Sequence, residues 1–332
     1  ITLSMLTSVE SDDDEEEEDD NIVDKLSKEF CEKCCEDNTC KEVRIRAIMV
    51  LFNMFRPDYE LRWDAFRYIV KCAVATEQFS MLVPYLEYLD DWIEDWELSV
   101  ESQRELFLQL SNEMRKIGNN DKAHEYLKRH VELFKGESAD VLSQKAVMET
   151  ARDLVIDAIR VPLILQVDDI LRLDAVKSLR TQGGSSQELF DLLEIFRSGT
   201  LADLKTFLGK HGATLQSVSI DPTVCESKLR LLTVATVCQG KPEISLTEMA
   251  AALEVSDKEV ETWVVRALSQ GVVDGRIDQI RKVVQVKSSL HRQFDKSQWQ
   301  FLNERVTKWI QNIEGLQASV EKTANMKAGL LN

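Results

Sequence analysis

Residues that break helices are scarce in this chain. Five prolines and twelve glycines are spread over 332 residues, too few for a turn-rich β architecture, so long helices are expected. Long apolar runs are missing too. No window offers the ~18 uninterrupted apolar residues of a membrane helix, and no membrane contact is expected. Basic charge is the third shortage. The 41 Lys and Arg face 58 Asp and Glu, a net charge of −17. Affinity for nucleic acid rests largely on Lys and Arg, so a phosphate backbone is not the expected main partner. Much of the imbalance is local: Glu10–Asp20 holds ten carboxylates, and without them the net charge is −7. Residues 1–21 therefore read as an acidic, disordered, solubilising segment.

Chemical motifs are equally sparse. Neither G-x-G-x-x-G nor G-x-x-x-x-G-K-[ST] occurs, so both phosphate-cradling loops are absent. G-x-S-x-G is absent as well. His124, His130, His211 and His291 form no H-E-x-x-H pair and no closely spaced metal pair. An enzyme built on this chain would need a dispersed site; the expectation is no catalytic residue and no cofactor. Seven cysteines, an odd number, argue against a disulfide framework and for a reducing, cytoplasmic compartment. Four of them, Cys31, Cys34, Cys35 and Cys40, lie within ten residues. C-x-x-C can hold half of a zinc site, but no second pair or suitable histidine follows. Cys31, Cys34 and Cys35 fall on one helical face, and buried or surface thiols are expected there rather than a metal. The chain opens on Ile1, as expected of a fragment or processed product.

Helical periodicity fills most of what remains. Segments with an apolar face are Asn21–Cys35, Lys41–Phe55 (Val43, Ile45, Ala47, Ile48, Val50, Leu51 and Phe55), a helix marked by Trp63 to Val74, Phe79–Trp96, Ser99–Ile117, Asp121–Phe134 and Val141–Arg160. Asp168–Leu179 follows, then a loop at Gln182–Ser186, a hairpin of Gln187–Phe196 and Leu201–Leu208, and Val224–Gln239. Helices of this length with short connectors suit antiparallel pairs stacked into a degenerate solenoid over residues 22–222. No fixed period identifies a consensus repeat.

Residues 223–290 read differently. Leu246, Met249, Ala250 and Leu253 make one short amphipathic helix. Ser256 can cap a second, with Asp257 and Glu259 in its first turn and Val260, Trp263, Val264, Ala267 and Leu268 on its apolar face. Gly271 suits a C′ glycine, and two β-rich runs follow, Val272–Asp278 and Lys282–Lys287. Helix, turn, helix, strand, turn, strand is the order of a winged helix. Its second helix would be the base reader, yet it opens with Asp257, Lys258, Glu259 and Glu261, which phosphates would repel. Basic residues collect on the wing instead, at Arg276, Arg281, Lys282 and Lys287. Two uses of the wing stay open: auxiliary contact with RNA, or addition of its edge strand to another protein's sheet. The wing residues singled out are Arg276, Ile277, Asp278, Arg281, Lys282 and Val284.

Residues 291–332 carry the sharpest periodicity. Trp299, Leu302, Val306, Trp309, Ile313, Leu316 and Val320 alternate steps of three and four, an a/d seam sustained for three heptads. Such a seam predicts packing along a partner helix. Either it covers the winged helix of its own chain or it docks on other chains, and two tryptophans on a narrow stripe favour docking.

Degenerate helical pairs running into a winged helix and then a long helix resemble a PCI domain. That domain occurs in the proteasome lid, the signalosome and eukaryotic translation initiation factor three. Trp92-Ile93-Glu94-Asp95-Trp96, Arg276-Ile277-Asp278-Gln279, Arg281-Lys282-Val283-Val284, and His291-Arg292-Gln293-Phe294 with Gln298-Trp299 are, in that order, similar to the m-subunit family of the initiation factor. The acidic run and the cysteine cluster are not part of the resemblance. It implies a non-catalytic scaffold subunit that joins other PCI subunits through the winged helix. Its C-terminal helix would be gathered with those of PCI and MPN neighbours. The whole would bind the small ribosomal subunit and support recruitment of initiator tRNA and messenger RNA. The alternatives are a signalosome or proteasome-lid PCI subunit, or a winged-helix nucleic-acid-binding regulator. The H-x-H…D motif of MPN metalloproteases is absent.

Overall fold

Helix signals in the sequence act locally, and each boundary has an identifiable cause. The computed structural model describes residues 16–36, 40–293 and 296–329. The described chain is mostly α-helical, with one small three-stranded sheet. It forms two compact units, one ending at Lys135 and the other beginning at Gly136, a division that falls inside the expected helical stack. No helix among the described residues is long and apolar enough to cross a membrane.

The first unit contains α1 (Glu16–Glu36), α2 (Lys41–Met54) and α3 (Glu60–Ala75), then 3₁₀ turns at Phe79–Met81 and Tyr85–Tyr88, α4 (Leu89–Asp95), α5 (Val100–Ile117) and α6 (Asn120–Glu132). Helix α1 begins five residues before its expected start; residues 1–15 of the acidic segment lie outside the described residues. In α2, Ile45, Ile48, Leu51 and Phe52 are buried, whereas Val43 and Val50 face solvent. Its apolar residues therefore exceed its packed face. The single helix expected over Phe79–Trp96 is broken, because Pro84 has no amide hydrogen and its ring clashes with the preceding turn. The pieces nonetheless build an aromatic core: Phe52 to Trp92 is 5.0 Å between ring centroids, Trp63 to Trp96 5.4 Å and Phe66 to Trp96 5.4 Å.

Helices α5 and α6 make a tight hairpin. Ser99 accepts from the Ser102 amide at 3.2 Å to start α5. Gly118, at φ +86°, ends it, and Asn119 accepts from the Lys122 amide at 3.2 Å to start α6. Here the left-handed glycine is needed, since the turn between the helices is only two residues. Leu106, Phe107, Leu110 and Met114 pack on Ala123, Tyr126, Leu127 and Val131.

The second unit holds α7 (Ala139–Leu142), α8 (Lys145–Arg160), α9 (Asp168–Arg172), α10 (Asp174–Gln182), α11 (Gly184–Ser198), α12 (Leu201–Ser217) and α13 (Pro222–Cys238). Three expectations change here. Val141–Arg160 is split where Gln144 is extended, and Asp168–Leu179 is split where Leu173 is extended. The loop expected over Gln182–Ser186 shrinks to Gly183 at φ +73°, with α11 starting at the next residue. Two glycines and two serines imitate a longer loop. Helix α12 begins in a Thr200/Asp203 capping box and kinks at His211.

The winged helix completes this unit: β1 (Glu243–Ser245), α14 (Leu246–Leu253), α15 (Asp257–Ser269), β2 (Val273–Asp278) and β3 (Val283–Ser289), followed by α16 (Lys296–Gly329). The sheet order is β1-β3-β2, antiparallel throughout, with Ile244 and Ile277 flanking buried Val284. Strand β1 was not expected; three residues with one apolar member give no alternation to detect. Gly271 closes α15 at φ +70°, and the Val272 amide reaches back to Ala267 O at 2.9 Å, the Schellman arrangement. Gly275 sits at a bulge where a Cβ would lie 2.2 Å from Gln285 O.

Candidate partner-binding surfaces

Two surfaces follow from the sequence: the seam of α16 and the wing. On α16 all seven seam residues are exposed, from 41% for Val306 to 67% for Leu316 and Val320. The seam is thus not packed on the winged helix of its own chain. Ile310, 52% exposed, widens the stripe beside Trp309; it lies outside the a/d positions and was missed for that reason. Arg305 lies over the Trp309 ring at 5.7 Å. An exposed aliphatic and aromatic stripe of this length is unusual on a monomer.

The wing is less available than its sequence implies. Val284 is fully buried and belongs to the core. Ile277 is half-buried, and Asp278 accepts from the Ile280 and Arg281 amides at 3.1 and 3.0 Å, which shapes the turn. Arg281 holds Glu243 of β1 through two bonds of 3.1 and 3.0 Å, and this partner raises its pKa. Lys287 pairs with Asp274 at 3.6 Å. Arg276 and Lys282 remain exposed with no ion pair among the described residues. Two of the four basic wing residues are therefore already matched within the chain, which weakens the phosphate-binding reading. The outer edge of β2 is unpaired within the described sheet, and Ile280, 97% exposed, stands at the wing tip. The expected reader helix α15 keeps its acidic start, with Glu259 accepting from Ser256 N at 3.3 Å and Oγ at 2.9 Å in a capping box.

Two cations, Arg292 half-buried and Lys228 fully buried, position these surfaces. Arg292, from the His-Arg-Gln-Phe phrase, donates to Ile195 O, Phe196 O and Gly199 O at 3.0, 2.7 and 3.0 Å. It caps the last carbonyls of α11 and anchors the residues that directly follow β3. Burial lowers its pKa to about 10. Lys228, in the middle of α13, is 1% exposed and donates to Val161 O at 3.0 Å and to Ala158 O. It fastens the end of α8 to the helix that leads into the winged helix. Burial lowers its pKa to about 7. Neither role has a local sequence signal, because the partners lie 67 or more residues away.

The cysteine cluster packs instead of presenting ligands. Cys31 is buried, Cys34 and Cys35 are half-buried and Cys40 is exposed. Cys35 Sγ donates to Tyr68 O at 3.7 Å, and Cys72 Sγ to Cys34 O at 3.8 Å. Burial pushes the Cys31 and Cys35 thiols up to about 12, away from the thiolate that a metal requires. Among the described residues no group of His, Cys, Asp and Glu is placed to hold a metal ion.

Comparison with known proteins fits this geometry. Residues 208–288, from within α12 to within β3, match the PCI domain family. Eukaryotic translation initiation factor 3 subunit M of Dictyostelium discoideum is 28% identical over 330 residues, covering 98% of this chain and 79% of that protein. The proteins of the same name from Phaeosphaeria nodorum and Nematostella vectensis are 29% and 24% identical, covering 81% and 90% of this chain and 60% and 79% of theirs. The chain thus carries a PCI domain at residues 208–288 and is similar over most of its length to proteins named subunit M of eukaryotic translation initiation factor 3.

Proposed function

We propose that this chain is a non-catalytic scaffold subunit of eukaryotic translation initiation factor 3. In this reading it joins PCI and MPN neighbours through its winged helix and α16, and supports formation of the pre-initiation complex on the small ribosomal subunit in the cytoplasm. The observation that carries the reading is the seam Trp299–Val320, exposed along its whole length on a helix that follows a PCI winged helix. Burying a large apolar side chain contributes about 1.5–3 kcal/mol, so seven half-exposed ones can supply several kcal/mol to an assembly. The acidic start of α15 and the pairing of Arg281 and Lys287 within the chain speak against a nucleic-acid-binding regulator.

The test is the double substitution Leu302→Asp with Trp309→Asp in a tagged chain recovered from cytosol. Initiation-factor subunits and small-subunit ribosomal proteins should be recovered with the parent and lost with the variant, while circular dichroism stays unchanged. Full recovery with the variant would remove the seam from the assembly. Recovery of proteasome-lid or signalosome subunits by the parent would reassign the complex.

A further inference from the structure

The first unit carries an exposed surface of its own. Pro84 breaks the helix there, and the 3₁₀ turn that follows leaves Tyr85 and Tyr88 46% and 56% exposed. The turn runs directly into α4, so Tyr88, Asp91, Trp92 and Asp95 recur at helical spacing on one face. Behind Tyr88 lies the aromatic core: Tyr88 is 6.3 Å from Trp92, which lies 5.8 Å from Trp96. Both tyrosines are exposed rings, and Tyr88 is backed by the aromatic core.

The charge along this segment has one sign. From Tyr85 to Glu97 the chain holds six carboxylates and no Lys or Arg. Asp90 is taken by Arg129. The side chains of Glu87, Asp91, Glu94, Asp95 and Glu97 have no ion pair among the described residues. Elsewhere in the same unit, guanidinium groups already cover aromatic rings, Arg62 over Phe52 at 4.6 Å and Arg104 over Phe134 at 4.1 Å. Tyr85 and Tyr88 have no such cation over them among the described residues.

We propose that the face formed by Tyr85, Tyr88, Asp91 and Asp95 binds an arginine-rich segment of a partner protein. A planar guanidinium stacks on a ring while its edge pairs with a carboxylate, a combination that the compact, strongly hydrated lysine ammonium matches less well. Nucleic acid is disfavoured because its phosphates would meet mostly carboxylates, five of them without an ion pair among the described residues. A second copy of this chain is disfavoured because a self-complementary contact would bring the same acidic face against itself.

The test uses the full chain and two fluorescein-labelled dodecapeptides, alternating Arg-Gly and alternating Lys-Gly, followed by anisotropy at low ionic strength. The Arg-Gly peptide should bind more tightly. Tyr85→Ala with Tyr88→Ala should weaken it ~tenfold and the Lys-Gly peptide less than ~twofold. Tyr85→Phe with Tyr88→Phe, which keeps the rings, should restore the affinity. Replacing the ten carboxylates of Glu10–Asp20 by their amides should leave the tyrosine-dependent part unchanged. Equal losses for both peptides, no loss with the alanine pair, or binding that vanishes with the acidic run would overturn the proposal. So would a dimer in sedimentation that the alanine pair dissolves.

Discussion

Lys228→Met removes the charge of the buried amine while keeping an unbranched side chain of similar volume. Lys228 ordinarily titrates at 10.5 but is lowered by burial to about 7, with nearby Cys225 pulling weakly the other way. Between those values the unfolded chain holds a proton that the folded chain does not. Stability therefore rises as pH climbs from about 7 toward 10.5, and below 7 the contribution is constant. At 1.36 kcal/mol per unit, the gain from pH 7 to 8.5 is about 2 kcal/mol. That window lies below the ordinary thiol value of 9.0, so the buried cysteines, whose raised pKa values act in the opposite sense, add little to it. The absolute effect of the substitution mixes relief of a buried charge with loss of two bonds to carbonyls, Ala158 O and Val161 O. The slope with pH isolates the titration. Urea unfolding across this window should show the parent gaining stability and Lys228→Met following a line flatter by about 2 kcal/mol. Parallel lines for the two proteins would refute a depressed Lys228.

Arg292→Met should strip the charged cap from α11 and lower stability by about 3 kcal/mol, read from urea midpoints; a cost near zero would mean that the three carbonyls find other partners. Glu259→Lys should cost about 1 kcal/mol, because it removes half of a capping box and sets a cation at a helix N-terminus. The same variant should still assemble in the pull-down, since α15 is not expected to read bases.

The elements most visible in the sequence were those governed by neighbours. Ser256, Glu259 and Gly271 announce both ends of α15 within one turn, and all three do in the structure what their types suggest. The seam was legible because a three-four spacing is a property of one helix. Failures came where composition and geometry diverge. Apolar periodicity runs through Pro84 although the backbone cannot, and the Gly183-Gly184-Ser185-Ser186 stretch needs only a one-residue turn. The candidate site failed at long range. Glu243 lies 38 residues from the Arg281 it neutralises, and Phe196 lies 96 residues from Arg292. No windowed pattern links such pairs, so the wing looked more basic than it is.

The length of α16 sets a size for whatever meets it. Its 34 residues rise about 50 Å, and Trp299 to Val320 spans about 30 Å of that. A compact pocket accepts a turn or two of helix and would leave most of the stripe wet. Only a rod of comparable reach, or several laid end to end, covers it. Grip then accumulates turn by turn along the contact, so a single conservative change at one end would loosen the attachment without releasing it.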